Sequence, residues 1–552
     1  MFHVSTGWSR VGRGAAAAVC GLLAAAAALG AAELAAAFVR PEAAPLTSVG
    51  GAVIDATPQP VKDWAIRTFG TDDKLVLRIG ILTLLALFAL AVGLLARRHR
   101  RTGAAAVLAF GVLGAAAALG RPGGGPGDAV PSLVGAVVGA GVLYGLAGIL
   151  TPAPAAVPEA PPPTGPHETP PTGPHDTPPT APHDTPPLPA ATRRRFVTAA
   201  TAVAAASAGA GLLGREVADR RNAPAVASRR EIRLPAPDSP APPVPRGAQL
   251  GIKGIGPFFT PNRDFYRVDT ALVVPRVNAD RWRLRIHGDG VREPLTLDYA
   301  ELLRRELIER DITLNCVSNE VGGPYIGNAR WLGVRLADVL REAGVRPPSQ
   351  GGPADQLVAR SVEGMTIGTP VETVMDGRDA LLALGMNGEP LPFDHGFPVR
   401  MLVPGLYGYV SACKWLTDLE LTTFSAYDAY WVQRGWAERA PVKTQSRIDT
   451  PKPFARPAAG RVAVAGVAWA QHRGVERVEV RVDDGPWRAA RLAAEDTSDT
   501  WRQWVWEWDA TPGRHTLQVR ATDGTGDTQT ADRVSPFPDG ATGRHSVVVT
   551  VT

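Results

Sequence analysis

Five uncharged stretches in the first 214 residues constrain this chain of 552 residues more than any other feature of its sequence. A helix that crosses a bilayer needs about 20 apolar residues, and each stretch is close to that length. Several are rich in Ala and Gly, which also suits a soluble helix, but none carries the polar stripe of an amphipathic soluble helix. We therefore predict five membrane spans, at residues 14–32, 79–96, 102–120, 129–150 and 196–214.

Arginine clusters beside these stretches predict how the spans are oriented. Cytoplasmic loops of membrane proteins carry an excess of Lys and Arg. Arg10 and Arg13 precede the first span, four arginines at 97–101 separate the second from the third, and residues 193–195 precede the fifth. Spans one, three and five then run outward and the other two run back. We therefore predict a multi-pass protein of the cell membrane, whose chain is extracytoplasmic after residue 214.

The fifth span, at 192–214, begins with a segment that resembles an export signal. The segment TRRRFVT at 192–198 resembles a twin-arginine signal, in which two arginines precede Phe and a second apolar residue. An ordinary positive-inside cluster is the alternative interpretation. The twin-arginine pathway carries folded proteins, and a folded passenger usually holds a cofactor that was inserted before export.

Two linkers are predicted around this span, at 151–191 and at 215–250. The first follows a membrane anchor of four spans (1–150) and contains a Pro-rich octapeptide repeat: TGPHETPP, TGPHDTPP and TAPHDTPP at 164–187. Pro at this density favours extended polyproline II and opposes packing. A histidine recurs in each repeat, but such a segment cannot hold a fixed ligand geometry. We therefore interpret the repeat as a polar spacer in preference to a metal site.

The remaining composition excludes several classes of protein. Three cysteines are too few for a disulfide scaffold. The 13 Trp residues and the long apolar runs exclude a wholly disordered chain. A net charge of +5 on a chain of this size does not indicate nucleic-acid binding.

From residue 251 the composition becomes that of a globular protein, and two domains are predicted. Residues 251–445 mix strand and helix patterns without regular βαβ alternation, which is typical of an α+β domain. Alternation predicts a strand at 282–287, the pattern at 297–309 predicts an amphipathic helix, and 312–316 predicts a short strand that ends on a cysteine. Residues 446–552 contain strand-like runs separated by turn residues, which predicts an all-β sandwich.

Cys316 is the residue of greatest chemical interest in this region. A thiolate suits a late transition metal or acts as a nucleophile. From the residues alone, a buried free cysteine is the commoner interpretation, and no pattern typical of a cysteine protease surrounds it. With Cys20 and Cys413 as the other thiols and no CxxC pair, an iron–sulfur cluster or a structural zinc site is not indicated.

The sequence from about residue 257 to the end resembles the molybdopterin-dependent oxidoreductases of the sulfite oxidase type. The tail PFPDGATGRHSVVVTV (536–551) is similar to the family's immunoglobulin-like dimerisation domain, which implies a homodimer formed through that domain. Long motifs in the family's order carry the resemblance: FFTPNRDFYR (258–267), TLNC (313–316), GNARWLGVRLADVL (327–340), ALLALGMNGEPLPFDHGFPVRMLVPGLYG (380–408) and KWL (414–416).

This resemblance implies a role for each matching residue. Cys316 would be the thiolate ligand of molybdenum. His395 and Arg400 would hold the phosphate and the ring edge of the pterin, and an Arg fork does match phosphate oxygens. Lys414 and the backbone from Ser411 onward would close the same pocket.

Three further matches concern the substrate and the rim of the pocket. Arg267 matches an arginine that lies near cofactor and substrate in the family. Arg330 and Glu363 are looser matches to cofactor-binding positions. A solvated surface charge is the alternative for any one arginine, but not for the whole set.

The chain also departs from the sulfite oxidases proper. After the arginine at 267 those enzymes continue with Asn-His, whereas Val268 and Asp269 stand here. Glu320 and Val321 occupy the stretch in which they carry a sulfite-binding arginine, and Trp436 aligns with their active-site tyrosine. A pocket that lacks a cationic donor and a phenol binds a small dianion less well. Oxygen-atom transfer at molybdenum is therefore better supported than sulfite as the substrate.

The spans themselves do not indicate an electron carrier. His3 and His99 flank spans and no histidine lies inside one, so no haem is predicted. We expect a membrane anchor whose catalytic domain exchanges electrons with a separate partner. The implied activity is two-electron oxygen-atom transfer on a small oxyanion, with S- or N-oxide reduction on the same fold as an alternative. A non-catalytic membrane protein that binds a partner through its Trp-rich sandwich is the second alternative.

Overall fold

The computed structural model describes residues 10–58, 61, 64–65, 68–69, 73–151 and 190–552. The octapeptide repeat and the side chains of Arg10 and Arg13 lie outside the described part. The chain forms two compact units, Met1–Arg221 and Asn222–Thr552, which we describe separately.

The first unit is helical. Five helices of the described part are long and apolar enough to cross a membrane, at the places that the sequence predicts. One further helix, α2, has only 12 residues and was not predicted. The helices are α1 Arg10–Phe38, α2 Pro45–Ala56, α3 Asp73–Ala96, α4 Arg100–Leu119, α5 Ala129–Leu150 and α6 Ala190–Glu231.

Small residues explain how these helices pack. A Cβ atom added to Gly21 of α1 would lie 1.8 Å from the backbone oxygen of Ala89 in α3. One added to Gly135 of α5 would lie 2.6 Å from the backbone oxygen of Ala28 in α1. Backbones approach this closely only where side chains are absent, as at small-residue interfaces of membrane helices. The Ala and Gly content of the spans is thus a packing feature.

Helix α6 corrects one predicted boundary. The chain was expected to form a linker from 215, but the helix continues to Glu231 with Pro224 inside it. The segment is rich in Ala, Arg and Glu, which have high helix propensity, and this outweighs the single Pro. Irregular chain then begins at 232.

The second unit begins with the mixed domain predicted at 251–445. One five-stranded sheet has the order β2-β1-β10-β5-β6, in which β1 and β10 are parallel. The other has the order β3-β4-β7-β8, with β9 paired to β7. Short helices connect the strands, so the α+β prediction agrees with the structure. The strands are β1 Arg283–Gly288, β2 Leu295–Asp298, β3 Leu307–Asn315, β4 Ile326–Arg335, β5 Gln356–Ser361, β6 Thr366–Pro370, β7 Leu381–Met386, β8 Glu389–Pro390, β9 Arg400–Leu402 and β10 Leu416–Thr422, and the helices are α7 Tyr299–Leu303, α8 Leu336–Glu342, α9 Val371–Met375 and α10 Gly408–Ser411.

The long helix predicted at 297–309 is wrong. Only α7 is helical there, and Asp298 caps it by accepting a hydrogen bond from the amide of Glu301. Leu307 and Ile308 are buried in β3, opposite Val334 and Gly333 of β4. Pairing with β4 therefore overrides the local helical pattern.

Residues 446–552 form the predicted all-β sandwich. Two four-stranded sheets, β11-β12-β16-β15 and β14-β13-β17-β18, pair antiparallel throughout. They share a core that includes Val464, Trp504 and Val549. The likeness to an immunoglobulin domain and the homodimer stay predictions. The strands are β11 Gln445–Thr450, β12 Gly460–Trp469, β13 Val475–Val482, β14 Arg488–Ala489, β15 Arg491–Leu492, β16 Arg502–Ala510, β17 Gly513–Asp523 and β18 Ser546–Val551.

Candidate functional site

Cys316 is the first residue after β3, as the sequence predicts. Its amide donates to the carbonyl of Tyr325 at 3.0 Å, which fixes the turn that follows the strand. The thiol is half-buried, and its Sγ lies 3.0 Å from the hydroxyl oxygen of Ser318. Burial raises the pKa of the thiol, while the contacts with Ser318 and the positive charge of Lys414 oppose that rise. A thiol beside a cation is a suitable precursor of a thiolate ligand.

Lys414 precedes β10 and shares one buried carboxylate with Arg267. The Nζ atom of Lys414 lies 2.8 Å from Oδ2 of Asp269, and Nε of Arg267 lies 2.9 Å from the same oxygen. Burial lowers the pKa of Lys414 to about 8, and the charge of Asp269 limits that fall. Arg267 also lies 3.1 Å from Oδ1 of Asp394. The structure thus joins Lys414 and Arg267 in one charge cluster.

Arg400 begins β9 and is 4% exposed. Its guanidinium lies 5.5 Å from the ring centre of Trp331. Among the described residues it makes no hydrogen bond and no ion pair, and its Nε is a buried donor without a partner. Burial lowers its pKa to about 10. A buried cation without a partner is energetically unfavourable, so this geometry suits an anionic group of a ligand.

His395 lies in a single 3₁₀ turn, Phe393–His395, and is 3% exposed. Its Nε2 is 2.8 Å from the carbonyl oxygen of Asn262, and its Nδ1 is buried without a partner. Burial lowers the pKa of the imidazole to about 4, so the ring is neutral near pH 7. A carbonyl oxygen only accepts, so Nε2 carries the proton and Nδ1 is an acceptor. This acceptor suits an N–H group on a ring edge, whereas a phosphate oxygen has no proton to offer it.

Tyr266 adds a phenol to this group of residues. Its ring stacks on Phe265 at 5.2 Å and lies 6.3 Å from the ring of Tyr325. Burial raises its pKa, and the charge of Cys316 raises it further. The phenol therefore keeps its proton near the thiol. Its position directly before Arg267 in the sequence was the signal that could have marked it.

Two of the predicted cofactor residues have other contacts. Arg330 lies in β4 and forms two hydrogen bonds of 2.8 Å with Asp311, its cross-strand neighbour in β3. This geometry favours a structural ion pair over a cofactor contact. The hydroxyl of Ser411 lies 3.0 Å from the carbonyl oxygens of Leu406 and Tyr407, so it is engaged with the backbone.

Glu363 and Asp269 complete the site. Glu363 is buried in the loop between β5 and β6 and exerts an electrostatic attraction on Arg267. Asp269 is the residue that sequence reasoning missed, because it entered only as a departure from Asn-His. Its side chain is 4% exposed, and Lys414, its partner, lies 145 positions further along the chain. The available signal was an acidic residue two positions after Arg267.

Comparisons with known proteins match the part of the chain in which most of these residues lie. The model of the oxidoreductase molybdopterin-binding domain matches residues 271–431, a range that contains Cys316, His395, Arg400 and Lys414. Mitochondrial sulfite oxidase of Drosophila melanogaster is 32% identical over 311 residues, which are 48% of this chain and 52% of that protein. Sulfite oxidase of Gallus gallus is 33% identical over 296 residues, which are 46% of this chain and 63% of the relative. The chain thus spans a little over half the length of these curated relatives.

A shorter relative is covered more fully, and a solved structure also matches. The uncharacterized oxidoreductase YuiH of Bacillus subtilis is 31% identical over 159 residues, which are 29% of this chain and 74% of YuiH. The crystal structure of the sulfane dehydrogenase SoxCD from Paracoccus pantotrophus matches 53% of this chain and 83% of that chain, with 24% identity and a TM-score of 0.46. Because the matched domain contains Cys316, Arg400 and Lys414, and because YuiH and the sulfite oxidases are 31–33% identical to this chain, the chain belongs to the sulfite oxidase family of molybdopterin-binding oxidoreductases.

Proposed function

We propose that this protein is a membrane-anchored, extracytoplasmic oxidoreductase that uses a molybdenum–molybdopterin cofactor to transfer one oxygen atom between water and a small substrate. The reaction class balances as X + H₂O ⇌ XO + 2 H⁺ + 2 e⁻. It covers oxidation of a small oxyanion such as sulfite and, in reverse, reduction of an S- or N-oxide. The observation that carries the proposal is the buried guanidinium of Arg400, which has no anionic partner among the described residues, whose Nε is without a hydrogen bond, and which interacts electrostatically with Tyr266, itself near the Cys316 thiol.

The residues present fit the cofactor group by group. The thiolate of Cys316 would bind the metal, as a soft ligand does. Arg400 would pair with the phosphate, because a guanidinium donates two parallel hydrogen bonds to such an anion. Nδ1 of His395 would accept a hydrogen bond from the pterin ring edge. When bound, the cofactor supplies the two-electron chemistry and the oxygen transfer.

The remaining residues bind and orient the substrate. Lys414 places a cation near the thiol, which favours its deprotonated form. Arg267 is 31% exposed, so its guanidinium is accessible to a substrate while Asp269 fixes its position. Tyr266 stays protonated and offers a hydrogen-bond donor near the same point. These groups are held before the substrate arrives, which is how preorganised sites stabilise developing charge.

The anchoring part of the proposal is supported by the helices of the first unit. Five of them have the length and composition of membrane spans, and the arginines at 97–101 and 193–195 favour one orientation. That orientation leaves the second unit outside the cytoplasm. A separate electron-transfer partner would then accept or supply the two electrons at that side.

Metal analysis of the full chain tests the proposal. The protein would be purified in detergent from a host that makes molybdenum cofactor, and molybdenum and pterin would be measured per chain. We expect about one of each, and substrate-dependent turnover either with ferricyanide and sulfite or with reduced viologen and sulfoxides. Protein that folds but contains neither molybdenum nor pterin would sink the proposal and favour a non-catalytic membrane protein.

A further inference from the structure

One buried carboxylate, that of Asp269, interacts with three cations of the site. Asp269 accepts hydrogen bonds from Lys414 at 2.8 Å and from Arg267 at 2.9 Å. It also attracts Arg400 electrostatically, although the two are not in contact. Its side chain is 4% exposed, so water screens these interactions little. Asp269 is therefore the main counter-charge of the site.

Two more carboxylates contribute negative charge near Arg267. Oδ1 of Asp394 lies 3.1 Å from its guanidinium, and the buried Glu363 attracts it from the β5–β6 loop. Three cations thus face three carboxylates. Under the proposed function, Arg400 is used by the phosphate of the cofactor. No surplus positive charge then remains among these groups for an incoming anion.

Such a site should bind an oxyanion weakly. A dianion that leaves water needs charged donors whose hydrogen bonds are available to it. Here Nζ of Lys414 and Nε of Arg267 already donate to Asp269, and Nη1 of Arg267 lies 3.1 Å from Asp394. Binding an anion at this place would bring it close to that carboxylate, and like charges repel strongly where screening is weak.

We propose that Asp269 sets the substrate class of this site by occupying Lys414 and Arg267, so that the enzyme takes substrates whose reacting sulfur or nitrogen centre is uncharged. A sulfide and its sulfoxide are such a pair, and they interconvert by R₂S + H₂O ⇌ R₂SO + 2 H⁺ + 2 e⁻. The electrons pass to or from an external redox carrier, such as a viologen dye in the assay. This inference rests on the proposed function and narrows its substrate.

Replacement of Asp269 by Asn is the sharpest test. The amide has nearly the same shape, and its oxygen still accepts from the amide of Ala271, which lies 3.2 Å from Oδ1. The change removes the negative charge and releases Lys414 and Arg267. Sulfate, a redox-inert oxyanion, should then bind the cofactor-loaded full chain about tenfold more tightly, as titration calorimetry would measure. The KM for sulfite should fall relative to the KM for a neutral sulfoxide.

Three other variants make the result specific. Asp338→Asn makes the same charge change on an exposed carboxylate of α8 that pairs with Arg335 and Arg341, and it should leave sulfate binding unchanged. Asp394→Asn removes only one contact of Arg267 and should tighten sulfate about two- to threefold. In Asp269→Asn/Lys414→Gln the tenfold gain should disappear.

Cofactor content is measured first in every variant. This measurement separates a failure of the proposed oxidoreductase function from a failure of the role proposed for Asp269. Loaded Asp269→Asn that binds sulfate no more tightly than the loaded parent overturns this inference and leaves the oxidoreductase standing. So does a parent enzyme whose KM is lower for sulfite than for neutral sulfoxides. If Asp269→Asn does not fold, unchanged sulfate binding in Asp394→Asn has the same meaning. A parent chain without molybdenum overturns the proposed function and this inference with it.

Discussion

Strand β3 connects two regions that use arginines in opposite ways. In the middle of the strand, Asp311 is paired with Arg330 through two hydrogen bonds of 2.8 Å. Beyond its end, the region of Cys316 contains Arg400, which is buried with no hydrogen bond or ion pair among the described residues. The first arginine stabilises the pairing of two strands, whereas we propose that the second pairs with a ligand. Partner geometry therefore distinguishes the arginine that stabilises the strand pair from the one that we propose binds a ligand.

The largest expected loss of metal content and turnover is that of Cys316→Ser. Loss of the thiolate should remove the metal and lower turnover more than about a hundredfold, since even residues outside the ligand set change metal affinity 10–100-fold. Molybdenum per chain and turnover are the measurements. Cys20→Ser, which changes a thiol in α1, is the control and should keep both. A Cys316→Ser protein that retains molybdenum and full activity would refute the metal-ligand assignment.

Arg400→Gln should separate cofactor binding from stability. The fraction of chains that carry the cofactor should fall about tenfold or more, because a bidentate phosphate contact is lost. The melting temperature of the cofactor-free protein should stay the same or rise, since a buried cation without a partner is removed. Pterin content and a thermal scan on the same sample give both values. A cofactor-free variant that melts well below its parent would show that Arg400 is structural.

Arg330→Gln should give the reverse result. It leaves the carboxylate of Asp311 buried without its bidentate partner, which should lower the free energy of unfolding by about 2 kcal/mol. This loss is smaller than for a fully buried pair because the Arg330 side chain is 27% exposed. Cofactor content per folded chain should not change. Chemical denaturation and metal analysis test this, and a loss of cofactor without a loss of stability would restore Arg330 to the cofactor pocket.

Features of the fold and the site that depend on local sequence could be predicted, whereas those that depend on contacts between distant residues could not. The long apolar helices and the strand at 282–287 were predictable because their signals are local. Cys316 and Arg400 were predicted through motif resemblance, but the missing partner of Arg400 is visible only in three dimensions. The helix expected at 297–309 failed because strand pairing with β4 decides that segment. Nothing local to Asp269 reveals its contact with Lys414, which the fold alone creates.

The smallest predicted effect concerns the middle of β3, where Asp496 of the β15–β16 loop interacts with Asp311. Burial, followed by the charge of Asp311, raises the pKa of Asp496 to about 6. A carboxyl whose pKa is raised by folding favours the protonated form, so its contribution to stability is present at low pH and is lost as pH rises through about 6. Asp496→Asn keeps the uncharged state at every pH. It should therefore raise the melting temperature by a few degrees at pH 8 and hardly at all at pH 4.

Asp484→Asn, in an exposed turn of the same sandwich, should lack this pH dependence. An equal gain for Asp496→Asn at both pH values would mean that packing, and not repulsion by Asp311, accounts for the change.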